Sequence, residues 1–347
     1  MVGFDIGGTK CAVCVGEEDE NGLRILDKRM IATDTGVSPY KMIDRLCELM
    51  KEMLDTVVGA EETAGGLGTE ETVGNEGTGD LGAAGRASLL DVIGISCGGP
   101  LDSKKGVIMS PPNLPGWDDV HIVEYLKKRY GVPVFLQNDA NACAVAEWRY
   151  GAGRGCSNMV FLTFGTGMGA GLILNGQLYA GTNDMAGEIG HVRMAEHGPV
   201  GYGKAGSFEG FCSGSGIAQI AQTLARENLQ VGNKVSFCRD MSQLGDITAQ
   251  SVARAAVEGN EDALEVYRIC GEMLGRGLAI LIDILNPEKI VLGSVYQRSG
   301  HLLKEAMEKY IQRESLLLAR SVCEIVPAGL EENIGDYAAL AVAAMGK

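Results

Sequence analysis

Hydrophobic residues recur along this chain in two spacings. Short apolar runs bounded by glycine, proline or small polar residues are typical of buried strands, and longer stretches with periodic apolar positions are typical of helices. The predicted strands are residues 1–6, 10–15, 23–32, 91–96, 132–137, 290–294 and 322–326. The predicted helices are residues 39–57, 120–129, 140–150, 216–226, 248–258, 262–285, 301–315 and the stretch from about 335 onward. Strands that alternate with helices predict an α/β fold.

Two of the strand connections consist almost entirely of glycine, threonine and other small residues. One lies within Thr163–Leu174, where an apolar strand enters a glycine turn and leaves as another strand, and the other lies within Val2–Val15. Glycine has no Cβ, so the backbone N–H groups of such turns are accessible and can form a concave site for phosphate oxygens. Either turn alone could be an ordinary hairpin. Together they predict two similar α/β halves that face each other, with the phosphates of a nucleotide between them.

The composition narrows the class of protein. The chain has 347 residues, a length typical of two domains, with 46% hydrophobic and 22% charged residues. Its formal net charge of -15 disfavours nucleic acid and anionic membranes as partners, because both are negatively charged. No apolar run approaches the ~20 residues of a membrane span and no signal peptide is seen, so we expect a cytoplasmic protein. Its ten scattered cysteines are expected to be reduced.

One carboxylate follows a buried strand at the position where open α/β sheets bind ligands. Asp139 comes after the strand at 132–137 and precedes the helix at 140–150. A carboxylate there could take the proton of a hydroxyl group whose oxygen attacks phosphorus, while neighbouring Asn138 holds the same substrate. Aspartate is also among the best helix caps, so the local sequence leaves a purely structural role open.

Three further polar residues, Glu188, His191 and Glu209, lie in glycine-rich surroundings after the second turn. Two carboxylates and an imidazole suit the hydroxyl groups of a carbohydrate, which donate and accept hydrogen bonds, although a solvated loop would have the same composition. At the first turn, Asp5 could hold Mg²⁺ through water, because the Mg²⁺ carried by ATP touches few protein groups. Lys10 is either a phosphate contact or an ordinary solvated side chain.

A series of segments, in this order, makes the chain resemble the ROK family, the sugar kinases and sugar-responsive repressors of the actin-like ATPase superfamily. They are Asp5-Ile-Gly-Gly-Thr-Lys10, Gly94-Ile-Ser-Cys-Gly-Gly-Pro-Leu-Asp102, Asn113-Leu-Pro-Gly-Trp117, Gln137-Asn-Asp-Ala-Asn141, Leu162-Thr-Phe-Gly-Thr-Gly-Met-Gly-Ala-Gly171, Ala186-Gly-Glu-Ile-Gly-His191 and Asn286-Pro-Glu-Lys-Ile-Val-Leu-Gly-Ser294. These segments span nearly the whole chain. The resemblance implies an actin-like ATPase (ribonuclease H-like) fold with two α/β domains around a central cleft, and ATP with Mg²⁺ as cofactors.

The same resemblance implies roles for individual residues. Asp139 matches the catalytic base that activates the sugar hydroxyl, usually the one on C6. The substrate-binding positions are Asn113, Asn138, Asp139, Glu188, His191 and Glu209. The nucleotide-binding positions are Asp5, Gly7, Gly8, Thr9, Lys10, Gly165, Thr166, Gly167, Gly169, Gly293 and Ser294. Of these, Asp5 would hold Mg²⁺ through water.

Two features depart from the family pattern. Family repressors carry a DNA-binding domain ahead of the first phosphate motif, which here begins at residue 5, so we expect a kinase. The family's zinc loop usually follows a histidine and reads C-x-C-G-x-x-G-C-x-E, but Val200, Tyr202 and Ser207 stand at the three cysteine positions here. Structural zinc should therefore be absent, and packing of Tyr202 and Phe208 is expected to hold the loop instead.

We expect an N-terminal domain of residues 1–118 plus 330–347, with a flexible Gly/Glu-rich insertion at 59–88, and a larger C-terminal domain of residues 119–329. The expected activity is ATP-dependent phosphorylation of a hexose, glucose at C6, by a homodimer, as is the family's habit. An N-acylated hexosamine or another hexose is an alternative substrate. A sensor that binds sugar or nucleotide without turnover and an actin-like scaffold ATPase are alternative functions.

Overall fold

The structure, a computed structural model, describes residues 1–20, 22–65 and 90–346. In chain order the strands are β1 (Val2–Ile6), β2 (Lys10–Asp19), β3 (Gly22–Ala32), β4 (Ile93–Cys97), β5 (Leu101–Asp102), β6 (Val107–Ile108), β7 (Val134–Asn138), β8 (Met159–Leu162), β9 (Ala170–Leu174), β10 (Gln177–Leu178), β11 (Val200–Gly201), β12 (Lys204–Ala205), β13 (Lys289–Leu292) and β14 (Glu324–Pro327). The α-helices are α1 (Pro39–Gly65), α2 (Ile122–Tyr130), α3 (Asp139–Tyr150), α4 (Phe208–Phe211), α5 (Gly214–Gln230), α6 (Ala249–Val257), α7 (Glu261–Leu285), α8 (Val295–Glu314), α9 (Leu317–Arg320) and α10 (Ile334–Ala344). Within these ranges, no helix is long and apolar enough to cross a bilayer.

The chain forms two compact units. The first comprises Met1–Tyr150, Gly181–Asp184 and Glu332–Lys347, and the second comprises Gly151–Ala180 and Met185–Glu331. The expected boundary at residue 118 differs from this division, because strand β7 pairs in parallel with β4 and so completes the sheet of the first unit. Residues 119–150 therefore belong to the first unit. A helix–strand unit followed by another helix looks the same in sequence whichever sheet it joins.

Each unit contains a five-stranded sheet, and the two sheets have the same topology. The order is β3-β2-β1-β4-β7 in the first sheet and β10-β9-β8-β13-β14 in the second. In both, the first three strands are antiparallel and the remaining strands add in parallel. The predicted pair of similar α/β halves is confirmed in this topology.

Small residues let the C-terminal helix α10 lie close to the sheet of the first unit. A Cβ atom on Gly94 of β4 would lie 2.2 Å from the carbonyl oxygen of Ala339, and one on Gly3 of β1 would lie 2.8 Å from the Ala339 Cβ. Glycine on the strands and alanine on the helix are therefore required for this packing.

The N-terminal helix of the first unit is longer than predicted. Helix α1 continues to Gly65 and so includes the first residues of the expected insertion at 59–88. The remainder of that insertion, residues 66–88, lies outside the described residues.

The core of the second unit is built on two long helices. A Cβ atom on Gly271 of α7 would lie 2.7 Å from the Leu303 carbonyl oxygen of α8, and one on Gly275 would lie 2.4 Å from the Met307 carbonyl oxygen. Glycine at these positions therefore permits the close approach of the two helices. Helix α7 begins after an Asn260 cap and ends at Leu285, before the C-cap residue Asn286, which agrees closely with the predicted bounds of 262–285. Helix α8 begins at Val295, six residues before the predicted start at His301, and the Gln297 side chain accepts a hydrogen bond from the Ser294 N–H at 3.1 Å at this start.

Candidate active site

Polar residues lie at the same edge of three neighbouring parallel strands in the first unit. Asp5 of β1 is in register with Ser96 of β4, and the last residue of β7, Asn138, is in register with the end of β4. Asp139 follows as the first residue of α3. The carboxyl ends of parallel strands are where open α/β sheets bind ligands. The structure thus brings the predicted residues Asp5, Asn138 and Asp139 to one edge.

Asn138, rather than Asp139, caps helix α3. The Asn138 Oδ1 atom accepts a hydrogen bond from the Ala140 N–H at 3.0 Å, which is the bond that a helix cap makes. Asp139 Oδ1 also accepts from Ala140 N–H, at 2.8 Å. Helix capping therefore does not by itself account for an aspartate at position 139, since the preceding residue already supplies it.

The basicity of Asp139 is increased by its surroundings. The residue keeps solvent exposure. Desolvation by the surrounding protein nevertheless raises the pKa of Asp139, and hydrogen bonds from its own and the Ala140 backbone and from the Asn138 side chain only partly oppose the effect. A carboxylate with a raised pKa takes up a proton more readily and is better suited to act as a general base.

Negative charge accumulates beside Asp139. Burial, followed by the charges of Asp139 and Asp336, raises the pKa of Asp5 to about 6, against the lowering effects of the Ser96 hydrogen bond and Lys10. A cation near Asp5 would relieve this repulsion. One carboxylate with incompletely compensated charge fits a Mg²⁺ ion that keeps most of its water ligands.

The first glycine turn, Gly7–Lys10, is held from both sides. The Gly7 N–H donates to the Lys10 carbonyl at 3.2 Å, and the Thr33 hydroxyl donates to the Gly7 carbonyl at 2.6 Å. A Cβ on Gly8 would lie 2.2 Å from the Asn113 carbonyl oxygen, so glycine is required there. This contact brings the predicted substrate residue Asn113 against the turn.

The second glycine turn, between β8 and β9, is closed mainly by its own hydrogen bonds. The Thr163 N–H donates to the Gly169 carbonyl at 3.0 Å, and the Gly169 N–H donates to the Thr163 hydroxyl at 2.9 Å. The Gly165 N–H donates to the Gly167 carbonyl at 2.9 Å. Outside the turn, the Ser215 hydroxyl donates to the Thr166 carbonyl at 3.1 Å.

The predicted adenosine-side residues lie next to this turn. A Cβ on Gly165 would be 3.7 Å from the Ser294 Oγ atom, and the Gly293 N–H donates to the Leu162 carbonyl at 2.9 Å. Gly165 is therefore a neighbour of Gly293 and Ser294 in the second unit, although it is far from them in sequence.

The predicted carbohydrate residues of the second unit lie on two segments. Glu188 directly precedes a single 3₁₀ turn, Ile189–His191, which His191 ends, and both residues are exposed. Glu209 lies in the short helix α4, and its Oε2 atom accepts a hydrogen bond from the Met168 N–H at 3.0 Å. The Lys204 ammonium group donates to the His191 carbonyl at 2.7 Å and so links the two segments.

The loop that carries Glu209 is held by packing and capping. Phe208 is fully buried, and its ring fills the space that a Cβ on Gly277 of helix α7 would occupy. Ser207 is also fully buried and caps α4 by accepting from the Gly210 N–H at 3.0 Å. Tyr202, by contrast, is 73% exposed. The expectation was therefore correct for Phe208 and wrong for Tyr202, because the β11–β12 hairpin directs residue 202 to solvent.

The side chains of this loop do not fit structural zinc. Val200, Tyr202 and Ser207 provide no thiolate at the three positions where the family pattern has cysteine. In the part of the chain that the structure describes, no group of three or more His, Cys, Asp or Glu side chains could hold a metal ion.

Sequence reasoning missed residues that support the site. Thr33 holds the first turn, Ser96 donates a hydrogen bond to Asp5, and Ser215 holds the second turn. Two signals were available, since Ser96 is a polar residue within a buried strand and Ser215 lies at a glycine-flanked helix start. No signal marked Thr33, since a threonine beyond the end of an edge strand is ordinary.

Comparison with known proteins gives concordant matches. The ROK family model matches residues 82–345. A glucokinase of Thermotoga maritima is 30% identical over an alignment of 349 positions, which covers 99% of this chain and 96% of that protein. A glucokinase of Halalkalibacterium halodurans is 36% identical over 252 residues, which cover 72% of this chain and 75% of that protein.

A solved structure and a repressor are also similar. The ROK family glucokinase from Streptomyces griseus in complex with glucose and AMPPNP aligns with a TM-score of 0.68 at 27% identity, covering 99% of this chain and 98% of the other. The N-acetylglucosamine repressor of Escherichia coli is 29% identical over 254 residues, which span 60% of the repressor.

The two sheets of equal topology, with a glycine turn between corresponding strands of each, define an actin-like ATPase fold. Within that class, the match over residues 82–345 and the full-length similarity to glucokinases show that the chain belongs to the ROK family.

Proposed function

We propose that this ROK family sugar kinase transfers the γ-phosphoryl group of ATP to the C6 hydroxyl of glucose. The observation that carries the proposal is the environment of Asp139. This residue lies at the carboxyl edge of the first sheet, its pKa is raised, and Asn138 rather than Asp139 caps the helix. The relatives named glucokinase and the similar enzyme bound to glucose and AMPPNP support this substrate pair.

Each predicted residue then has a chemical role. Asp139 accepts the proton of the C6 hydroxyl as its oxygen attacks the γ-phosphorus, and the proton remains on the carboxyl group until product leaves. The sugar hydroxyls are held by Asn113, Asn138, Glu188, His191 and Glu209. The N–H groups of both glycine turns bind phosphate oxygens, and Gly293 with Ser294 lies on the adenosine side.

Mg²⁺ would be held at Asp5 through water, because the charge of the Asp5 carboxylate is incompletely compensated and favours a nearby cation. When bound, the ion neutralises charge on the phosphates. Positioning of the two substrates is expected to provide most of the rate enhancement, since phosphoryl transfer leaves little covalent chemistry for the protein. We place the protein in the cytoplasm, where ATP is available.

Asp139→Asn tests the proposal. The amide keeps the hydrogen-bonding shape but cannot accept the proton, so kcat should fall by roughly 10²–10⁴-fold while calorimetry still detects glucose binding. Asp102→Asn, which removes a carboxylate paired with Lys105 in another turn, is the matched control and should keep its kcat. Near-normal turnover of Asp139→Asn would refute the role of this residue as base.

ADP formation across a panel of hexoses and N-acylated hexosamines tests the choice of sugar. The similarity to the N-acetylglucosamine repressor makes an acylated hexosamine the second candidate substrate. Preference for that sugar over glucose would replace the proposed substrate but keep the reaction. Tight sugar binding without ADP formation would indicate a sensor, and ATPase activity indifferent to every sugar would indicate a scaffold ATPase.

We further propose that the chain forms a homodimer through an apolar surface of the second unit. The surface consists of Ile280, Ile284, Leu316, Leu317 and Leu318, which are between 37% and 83% exposed. The Leu316 N–H donates to the Asp283 carboxylate at 3.0 Å, which holds the leucine run beside helix α7. A patch of exposed aliphatic residues of this kind is typical of a protein interface.

The charges at this surface favour a second copy as the partner. The adjoining cleft carries both signs, from Arg276, Arg313, Asp283 and Glu314. A surface that carries both signs can be complementary to a second copy of itself across a two-fold axis, whereas a foreign partner would have to match a mixed pattern. Leu317→Glu should convert a dimer to a monomer in size-exclusion chromatography with light scattering. A wild-type monomer, or a dimer unaffected by the substitution, would contradict this proposal.

A further inference from the structure

Glu209, predicted to bind sugar, also holds the second glycine turn. Its Oε2 atom accepts a hydrogen bond from the Met168 N–H at 3.0 Å, and the Met168 side chain is buried. A bond from a backbone N–H to an ionised carboxylate is stronger than one between neutral groups. In addition to the hydrogen bonds within the turn, one of its N–H groups is therefore bonded to a side chain from a distant part of the chain.

Three glycines from three segments form a cradle around the Glu209 side chain. A Cβ on Gly167 of the turn would lie 2.7 Å from Glu209 Oε2. A Cβ on Gly190, next to His191, would lie 3.3 Å from the Glu209 Cβ, and one on Gly201 of the β11–β12 hairpin would lie 2.8 Å from it. The turn, the segment that ends at His191 and the hairpin thus all pack directly against this one side chain.

The backbone of Glu209 is itself fixed. Phe208 before it is fully buried, and Ser207 caps the helix that carries it. With the backbone held, the position of the carboxylate and the position of the Met168 N–H are linked. A ligand that restricts one of them restricts the other.

We propose that Glu209 is a positioning residue that couples the sugar site to the nucleotide turn. A carboxylate has two oxygens, so Oε1 can accept from a sugar hydroxyl while Oε2 keeps the Met168 N–H. Sugar bound at Glu209 restricts the carboxylate and orders the turn, and nucleotide that then binds loses less conformational entropy. The sugar half of this coupling rests on the proposed function, whereas the contact with the turn does not.

Calorimetric titration with AMPPNP, in the presence and absence of glucose, tests the coupling. Wild-type protein should bind AMPPNP more tightly with glucose. Glu209→Ala should weaken AMPPNP binding about tenfold even without sugar, because the turn loses its charge-assisted bond, and should abolish the effect of glucose. Glu209→Gln, whose amide oxygen can still accept from Met168 N–H, should recover most of the AMPPNP affinity, with thermal unfolding as a check that each variant is folded.

His191→Ala is the matched control, because it removes a predicted sugar contact on a segment packed against Glu209 without touching the bond to the turn. It should weaken glucose binding and leave AMPPNP affinity in the absence of sugar unchanged. Wild-type AMPPNP affinity in Glu209→Ala, or equal weakening in His191→Ala, would overturn the coupling. If the wild-type protein binds AMPPNP normally but binds no sugar, the proposed function is wrong. The AMPPNP titrations without glucose would still test the bond between Glu209 and the Met168 N–H.

Discussion

The two glycine turns occupy equivalent places in two sheets of the same topology, yet they are held in different ways. In the first turn, Gly8 lies against the backbone carbonyl of Asn113, and the nearby carboxylates Asp5 and Asp139 repel each other. In the second turn, a carboxylate side chain, that of Glu209, bonds directly to a turn N–H.

The first turn is thus supported by backbone, and the second is supported by a side chain that is also predicted to bind sugar. A backbone carbonyl cannot move without shifting its strand or loop, so the first turn is fixed by the fold. The Met168 N–H of the second turn is bonded to the Glu209 side chain instead, so the second turn is linked to whatever else this glutamate binds. Two sheets of the same topology can therefore hold their glycine turns by different kinds of contact.

The largest expected effect concerns the support behind Glu209. Phe208→Ala should lower the free energy of unfolding by about 3–5 kcal/mol, since it empties a fully buried site against helix α7. Tyr202→Ala, at the 73% exposed position that the sequence also suggested, should change it by less than ~0.5 kcal/mol. Urea denaturation measures both. Similar losses in the two variants would mean that the loop is not held by Phe208.

Asp5→Asn should stabilise the first unit while it impairs the proposed activity. Between the ordinary pKa of 3.8 and the raised value of about 6, the unfolded state releases this proton and the folded state keeps it, so stability falls as pH rises through that window. Above it, removal of the charge should add up to about 3 kcal/mol. Unfolding at pH 8 and at pH 4 measures the difference, which should nearly vanish at the lower pH.

Asp34→Asn is the control for that experiment, because hydrogen bonds from Arg45 and the Gly36 N–H lower the pKa of Asp34. It should bring no stabilisation at pH 8. Destabilisation of the protein by Asp5→Asn at pH 8 would contradict the inference that burial and the neighbouring charges of Asp139 and Asp336 make the Asp5 carboxylate unfavourable.

The smallest effect compares the turns directly. Gly8→Ala should lower kcat/KM for ATP by roughly 10–100-fold, because its Cβ meets the backbone of Asn113 and overpacking of this kind costs about 1–3 kcal/mol. Gly167→Ala meets only the Glu209 carboxylate, which can move, so its loss should be several-fold smaller. Gly245→Ala, with no atom near the added Cβ, should have no effect. Equal losses at positions 8 and 167 would remove the distinction between the two supports.

Much of the secondary structure and the position of Asp139 at the end of a strand were predictable, because they depend on local patterns. Apolar runs that end in glycine placed the strands on either side of both turns, and the strand-to-helix junction singled out Asp139. The domain boundary was not predictable, because β7 is an apolar strand that could pair in either sheet. The role of Tyr202 was misjudged for a related reason, since the direction of a hairpin side chain depends on register.

The sequence by itself determined the two glycine turns, the acidic strand end and the absence of thiolates at Val200, Tyr202 and Ser207, because each is a property of residues close together in the chain. Only the tertiary structure decided that Asn138 caps α3 in place of Asp139, that Phe208 packs onto helix α7, and that Glu209 bonds to the turn at Met168. These contacts either join segments that are distant in sequence or decide which of two adjacent residues makes a bond. They therefore depend on packing geometry that local sequence patterns do not contain.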